Sequence, residues 1–522
     1  MTRTRRFLGG VSAGMAYQMV VTVVGLSLTP FLLGRLGPQN YGLWLTATQL
    51  IAYLTLLDVG VLALLPRDAA YATGRAGGIR DAADLADVVG RTGRIVLWQL
   101  PLIAAMAWLA WLLLPLGWQS LRLPLAMLLA TFVATYPLRI FQATLQGLQD
   151  LTFIGALQLA SWVIGTVVTV LLVVEGWGLT ALAVGAMITQ LVSLGACGYR
   201  VATRFPAAMP RRLPRLPWAV AAPHLQRAFW VSVSQVAQVL LYASDILIVA
   251  WVFGPVTVVP YACTQKLISV LSNQPQILTQ AAAPALSELR MGASRSKLLS
   301  VTSSLSLALM LGSGAIFVVV LAVNRAFVSW WVGPDQYGGA TLTAVFGAAM
   351  LVRHWNTALV YALFSFGHER RISLTTAGDG IVTLALSLTL ASTIGVIGVP
   401  LGFLAGALIV SLPANVRALA RDTGVSPFEL VFGLTPWAVR LGVLIPIAFA
   451  ANLLIPTASL AWLVGVAGVL GAAYVALMLP LALRPPLGGY VRQGLGPVFG
   501  FLGLRGPTPP AVVATRETGP IL

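Results

Sequence analysis

The sequence predicts an all-α polytopic membrane protein of about fourteen transmembrane helices, and three observations carry that reading. Of 522 residues, 58% are hydrophobic and only 9% charged, with a mean hydropathy of +0.88. A water-soluble domain carries roughly 25% charged residues. Apolar stretches of about 20 residues, the length that crosses a bilayer, recur from the first ten residues almost to the end. The basic residues gather in every second connection between these stretches, as the positive-inside rule requires.

Taken in order, the spans are 9–33, 41–65, 94–116, 122–146, 151–174, 177–198, 226–253, 257–284, 298–323, 338–364, 372–394, 397–418, 437–456 and 459–483. The first follows Arg3, Arg5 and Arg6 as a signal peptide would. It is as long as a full span, however, and a signal's apolar region runs only about 7–15 residues, so it is read as an uncleaved helix. With the N-terminus in the cytoplasm, inside connections hold Arg67, Arg75, Arg80, Arg91 and Arg94, then Arg200, Arg204, Arg211, Arg212 and Arg215. Arg290, Arg295, Lys297, Arg370, Arg371, Arg417 and Arg421 follow, and Arg484, Arg492, Arg505 and Arg516 lie in the tail. Outside connections hold only Arg35, Arg122 and Arg325. One missed helix would scramble this alternation, so it supports both the even count and a cytoplasmic location of both termini. The net charge of +17 therefore reads as membrane orientation, with lipid rather than nucleic acid as the partner.

Cys197 and Cys263 fall in separate apolar segments and read as packing residues. The histidines His224, His354 and His368 are not spaced as metal ligands, and no phosphate-cradling glycine loop is present. No cofactor and no ATP hydrolysis are expected of this chain. Energy must come from an ion gradient, the membrane potential or consumption of the product. Outside connections are short, which disfavours a glycosyltransferase or ligase holding catalytic groups on an external domain. Among the inside connections, Asp81–Val89 reads as a surface helix.

The sequence also resembles itself at a shift of about 217–220 residues. Gln18 precedes Gly37-Pro38 by 19 positions, as Gln235 precedes Gly254-Pro255. Gly147 precedes Gly178 by 31, as Gly367 precedes Gly398. Six helices per copy make both copies enter from the same side, so a pseudo-two-fold axis should run along the membrane normal. The expected organisation is a six-helix lobe over 1–200, a basic, Pro-rich linker over 201–225, and a second six-helix lobe over 226–420. An added helix pair over 421–483 and a mostly disordered cytoplasmic tail over 484–522 complete it.

The first copy reads Phe31-Leu32-Leu33-Gly34-Arg35-Leu36-Gly37-Pro38-Gln39-Asn40-Tyr41-Gly42-Leu43-Trp44, then Asp58-Val59-Gly60. The second reads Asp245-Ile246-Leu247-Ile248, Gly254 and Tyr261-Ala262-Cys263-Thr264-Gln265-Lys266-Leu267. These segments resemble the signatures of the bacterial polysaccharide transporters. That family comprises the lipid-linked oligosaccharide (O-antigen type) flippases of the multidrug/oligosaccharidyl-lipid/polysaccharide exporter superfamily. The resemblance implies paired lobes, alternating access and a bacterial inner membrane. It implies a polyprenyl-pyrophosphate-linked glycan as substrate, in lipopolysaccharide or other surface-polysaccharide synthesis, beside a polysaccharide polymerase and glycosyltransferases.

Ionisable residues within spans are functional candidates. Arg353 lies 14 residues before Gly367 and 15 after Gly338, about 21 Å from either end of its helix, beyond the reach of snorkelling. It must face a wet cavity or a buried partner; His354 and Asn356 accompany it. Arg139 lies 8 residues before Gly147, about 12 Å from the cytoplasmic end, where snorkelling competes with a cavity role. A cavity lined by both arginines would suit a pyrophosphate, which guanidinium binds bidentately. Asp245 and Lys266 flank a tight turn at similar depth and are expected to pair. Asp58 beside Gly60 reads as a cap or hinge, and Asp379, between Gly378 and Gly380, as a cavity residue or a helix break. The competing functional reading is a cation-coupled multidrug exporter of the same superfamily. Such exporters usually carry an acidic residue in the first helix, and 9–33 has none.

Overall fold

A computed structural model describes residues 3–491 except 59, 76–82, 211–212, 215, 277–294, 455–459, 486 and 490. All regular structure among the described residues is helical. Ten helices are individually long and apolar enough to cross a membrane. The bent pair α8 (Trp218–Tyr242) and α9 (Asp245–Phe253), whose halves meet at 47°, makes an eleventh. Helix α1 (Arg3–Leu54) is interrupted at Gly37, and the Tyr41 hydroxyl reaches back to Thr29 Oγ1 at 3.4 Å. Residues 12 positions apart in a straight helix stand about 18 Å apart, so α1 is two spans joined by a hairpin. Helix α10 (Pro255–Leu271) supplies the thirteenth span and runs toward residues outside the described set. The fourteenth is α12 (Ala340–Ser365), whose apolar run is broken by Arg353 and His354.

The remaining helices of the first lobe are α2 (Val61–Arg75), α3 (Ala83–Leu112), α4 (Gln119–Thr135), α5 (Arg139–Gly147), α6 (Leu151–Val174) and α7 (Leu179–Arg204). In the second lobe α8–α10 are followed by α11 (Arg295–Trp331), α12, α13 (Glu369–Ile394), α14 (Gly398–Gly406) and α15 (Leu412–Thr423). A five-residue π-helical segment, Ala407–Ser411, joins the last two. After the short α16 (Pro427–Phe432), the pair α17 (Thr435–Leu454) and α18 (Leu460–Ala482) packs on α11. Tyr474 donates to the Leu311 carbonyl at 2.8 Å and Asn452 to that of Leu321 at 2.8 Å. The expected surface helix at Asp81–Val89 is not separate. From Ala83 onward these residues form the first turns of α3, where Leu85 and Val89 are buried in the first lobe's core. The tail beyond residue 491 lies outside the described residues.

The two lobes repeat each other closely. Gly37 (φ 75°, ψ 164°) and Gly254 (φ 88°, ψ 163°) share a backbone conformation that side chains exclude, at an offset of 217. The next turn corrects the glycine alignment drawn from the sequence. Positive φ falls at Gln149 (58°) in one lobe and Gly367 (81°) in the other. The Asp150 N–H bonds the Leu145 carbonyl as the His368 N–H bonds that of Leu363. Gly367 therefore matches Gln149, not Gly147. Gly147 is glycine for another reason: a Cβ there would stand 2.5 Å from the Pro66 carbonyl oxygen. Gly178 (φ 57°) likewise matches Gly395 (φ 81°) rather than Gly398. The offset is then 217–218 throughout.

Small residues set the helix crossings, as in many membrane bundles. A Cβ on Gly165 would meet Thr189 Oγ1 at 1.8 Å, and one on Gly185 would meet Thr169 Oγ1 at 1.8 Å, where α6 crosses α7. At the matching positions of the second lobe, Gly406 lies against Thr383 and Gly402 against Ser387. The lobes themselves meet at the end bearing the two Gly-Pro turns. A Cβ on Gly42 would stand 1.9 Å from the Pro255 carbonyl oxygen, and Trp331 donates to the Leu26 carbonyl at 2.6 Å. Leu32, Leu33 and Tyr41 share an apolar cluster there with Val259, Cys263 and Val328.

Candidate functional site: a cavity between the lobes

A cavity of about 960 Å³ lies between the lobes, and a second of about 440 Å³ lies within the second lobe. The larger one is walled by stripes of polar residues on otherwise apolar helices. Arg139, Gln142 and Gln146 lie on one face of α5 at spacings of three and four. Helix α6 contributes Gln158, Ser161, Trp162 and Thr169, and α7 contributes Thr189, Gln190 and Ser193. From the second lobe α8 adds Ser234, Gln235 and Gln238. From Gln158 to Thr169 the stripe runs about 16 Å along α6, roughly half the hydrocarbon thickness.

Two charged residues line this cavity, Arg139 and Asp58. Pro137 interrupts the fourth span, which passes from α4 through the 3₁₀ turn Tyr136–Leu138 into α5. Arg139 opens α5, with its guanidinium over the Phe132 ring at 4.3 Å. No carboxylate stands within ion-pair distance of it among the described residues, although Asp58 on the same wall is near enough to interact with it electrostatically. Asp58, read from the sequence as a cap or hinge, sits at the start of α2, where its carboxylate accepts the Leu62 N–H at 3.0 Å and the Tyr136 hydroxyl at 3.3 Å. Gln99 fixes the same corner by donating to the Asp58 carbonyl at 2.8 Å.

Arg353 does not join Arg139. It lies on the smaller cavity, buried at 6% exposure, and its two terminal nitrogens engage the Asp379 carboxylate, which is fully buried. Arg353 also donates to Thr383 Oγ1 at 3.1 Å and to the Phe403 carbonyl at 2.6 Å, and stacks 4.1 Å from the Phe403 ring centroid. Ser411 and Thr383 complete the carboxylate's shell. The expected two-arginine cavity is thus not formed. Arg353 is deep because it is one half of a buried pair, and Asp379 is that pair's other half rather than a helix break. His354 bridges Ser313 Oγ at 2.6 Å and Gln276 at 3.1 Å. Asn356 accepts from Asn415 at 2.9 Å and lines neither cavity.

The expected Asp245–Lys266 pair is also absent. Asp245 accepts from Tyr261 and Gln265, both at 3.3 Å, and from the Ile246 N–H at 2.8 Å. Equal depth across the turn is not sufficient, because Tyr261 and Gln265 sit one helical turn apart on the face of α10 that meets Asp245. Lys266, the next residue, points elsewhere. The glutamine stripes were missed in the sequence. Their signal was available as polar residues recurring at helical spacing inside apolar spans.

The described helices form a two-lobed, membrane-spanning bundle with a polar cavity between the lobes. Residues 96–331, somewhat under half of the chain, match the family of polysaccharide biosynthesis proteins, so the resemblance read from the signatures stands. No curated protein matches in sequence. Among solved structures, the lipid II flippase MurJ in an inward closed conformation aligns with a TM-score of 0.64 at 10% identity, over 90% of this chain and 99% of that one. A multidrug resistance MATE family transporter in an inward-facing conformation aligns at 0.58 with 13% identity, over 79% and 98%. A transporter of the superfamily from Pyrococcus furiosus aligns at 0.51 with 14% identity, over 81% and 94%. At these identities the matches establish the fold.

Proposed function

We propose that this protein flips a polyprenyl-pyrophosphate-linked oligosaccharide from the cytoplasmic to the outer face of a bacterial inner membrane during surface-polysaccharide synthesis. The observation that carries the reading is the inter-lobe cavity, polar along half the membrane's depth and furnished with one unpaired guanidinium. A polar headgroup crossing lipid needs such a wet path, since hydrocarbon offers no hydrogen bonds. The Arg139 fork supplies charge-assisted bonds to a diphosphate. Alternating access would open and close the lobe contact at Gly42 and Pro255 while the polyprenyl tail stays in lipid. The arginine-rich ends face the cytoplasm in this orientation. No catalytic group is called for, and the polymerase and glycosyltransferases act on either side of the step.

Cation-coupled export of a smaller molecule is the second reading, favoured by Asp245, a carboxylate on the smaller cavity with no cation in its shell. One experiment separates the two. Full-length protein reconstituted in vesicles should move a fluorescently labelled polyprenyl-pyrophosphate oligosaccharide across the bilayer. Movement no faster than in protein-free vesicles would overturn the proposal.

A further inference from the structure

The glycan itself has a reader in this cavity. We propose that the six amide side chains Gln142, Gln146, Gln158, Gln190, Gln235 and Gln238, with Trp44 and Trp162, form a subsite for uncharged sugars, and that the glycan carried is a neutral one. The inference rests on the flippase reading and deepens it.

The fold does not demand the amides on α5 and α7, and the lobe repeat shows it; Gln235, by contrast, has a glutamine, Gln18, at its matching position in the first lobe. At the matching positions of the second lobe, offset 217–218, Gln142 is replaced by Val360, Gln146 by Phe364 and Gln190 by Ala407. The same helix crossings form with apolar residues there, so Gln142, Gln146 and Gln190 serve something other than packing; Gln158 is matched by another polar residue, Thr376. Burying a polar side chain in a membrane helix is unfavourable unless it finds a partner. Gln190 has one within the protein, donating to Thr135 at 2.7 Å. Gln235 does not: its carbonyl oxygen is buried and accepts no hydrogen bond, although the residue lines the cavity.

The chemistry of the wall matches the chemistry of a sugar. An amide presents a donor pair and an acceptor side by side, as vicinal hydroxyls do. Ser161, Thr189 and Ser193 add hydroxyls of their own, and the indoles of Trp44 and Trp162 give flat apolar faces beside them. Charge excludes the alternative. With Arg139 assigned to the diphosphate, the other acidic or basic side chain lining the wall is Asp58, and no second described cation lines the cavity. A uronic acid or sialic acid would meet a wall whose single cation is already engaged and whose other acidic or basic group is the Asp58 carboxyl.

The test uses the full-length protein in lipid nanodiscs and three probes of equal chain length: bare polyprenyl pyrophosphate, the same lipid bearing a neutral hexose trisaccharide, and the same lipid bearing a trisaccharide with two hexuronic acids. Binding is read by tryptophan fluorescence and by native mass spectrometry. The neutral glycolipid should bind at least tenfold tighter than the bare lipid, and the acidic one no tighter than the bare lipid. The double variant Gln142→Val with Gln146→Phe borrows the side chains that the repeat already accommodates at these positions. It should lose about tenfold for the neutral glycolipid and nothing for the bare lipid. Gln235→Leu should do the same from the other lobe. Equal binding of neutral and acidic glycolipids, or unchanged binding by both variants, would overturn the subsite while leaving pyrophosphate binding intact. Failure of all three probes to bind would overturn the flippase reading itself, and the subsite with it.

Discussion

Replacing Arg353 by methionine should destabilise the second lobe rather than empty a binding site. Asp379 is fully buried, and its carboxylate is held by two Arg353 nitrogens, Thr383 and Ser411. Removing the guanidinium leaves that carboxylate uncompensated, which costs about 3–5 kcal/mol. The Phe403 carbonyl loses its donor as well, worth roughly 1 kcal/mol. Removing both charges together, with Arg353→Met and Asp379→Leu, leaves apolar groups of similar size and should be close to neutral. Thr383 and Ser411 can then turn to carbonyls of their own helix. The coupling in the double-mutant cycle should exceed about 2 kcal/mol, within the range for residues in one network. The protein carries its own reporters: Cys197 and Cys263 are free, buried and in different lobes. A maleimide dye that fluoresces on thiol exposure, followed during heating, should show early release in Arg353→Met and recovery in the double variant. In a Cys197→Ser background the early release should persist, because the damage is on the Cys263 side. An Arg353→Met protein that melts with the parent yet fails to bind polyprenyl pyrophosphate would refute this reasoning and make the guanidinium a ligand.

Arg139→Ala should leave melting unchanged and weaken polyprenyl-pyrophosphate binding by roughly ten- to a hundredfold, the value of a charge-assisted bond of about 1.5–3 kcal/mol; Arg139→Lys should recover only part, because it lacks the planar fork. Titration in nanodiscs checks both. Gly42→Ala should force the lobes apart at the Gly-Pro turns, since its methyl would overlap the Pro255 carbonyl oxygen. A cysteine placed at Leu28, on the inter-lobe cavity wall, should then label faster from the outer side. Alkaline phosphatase fused at Gly117 or Gly176 should be active and fused after Arg484 inactive, and activity at the last position would sink the fourteen-span orientation.

The helices were legible because their signal is local: a span of apolar residues is readable without knowing its neighbours. The repeat was legible at Gly37 and Gly254, where a positive φ demands glycine in both copies. It was misread at Gly147 because a glycine can also mark a close approach, here to Pro66, and sequence does not separate the two causes. Deep burial of Arg353 followed from its distance to both helix ends. Its partner did not, because Asp379 comes from the adjacent span and only packing decides whether a deep charge meets a cavity or a carboxylate. The Asp245–Lys266 expectation failed on rotation: depth is fixed by counting residues, but facing direction needs the neighbouring helix.

The division of labour between lobes follows from where the repeat is broken. At the offset of 218, Ser161 in the first lobe corresponds to Asp379 in the second, and Arg139 to Thr357. The first lobe keeps an arginine without an ionic partner on the inter-lobe wall and small hydroxyls where the second lobe carries its carboxylate. The second lobe places its own arginine one turn away, at Arg353, and neutralises it. A charge held by a fixed partner cannot be exchanged for one on a substrate without orphaning that partner, so the Arg353–Asp379 pair is suited to hold α12, α13 and the π-helical break at Ala407–Ser411 in one arrangement. Arg139 has no such partner within ion-pair distance among the described residues, so on the proposed reading its donors can pass from water to phosphate oxygens. Under the proposed alternating access, the second lobe would serve as the rigid abutment while the first supplies ligand groups. This assignment follows from the side chains at matched positions and not from the shared fold, which would allow either lobe the role.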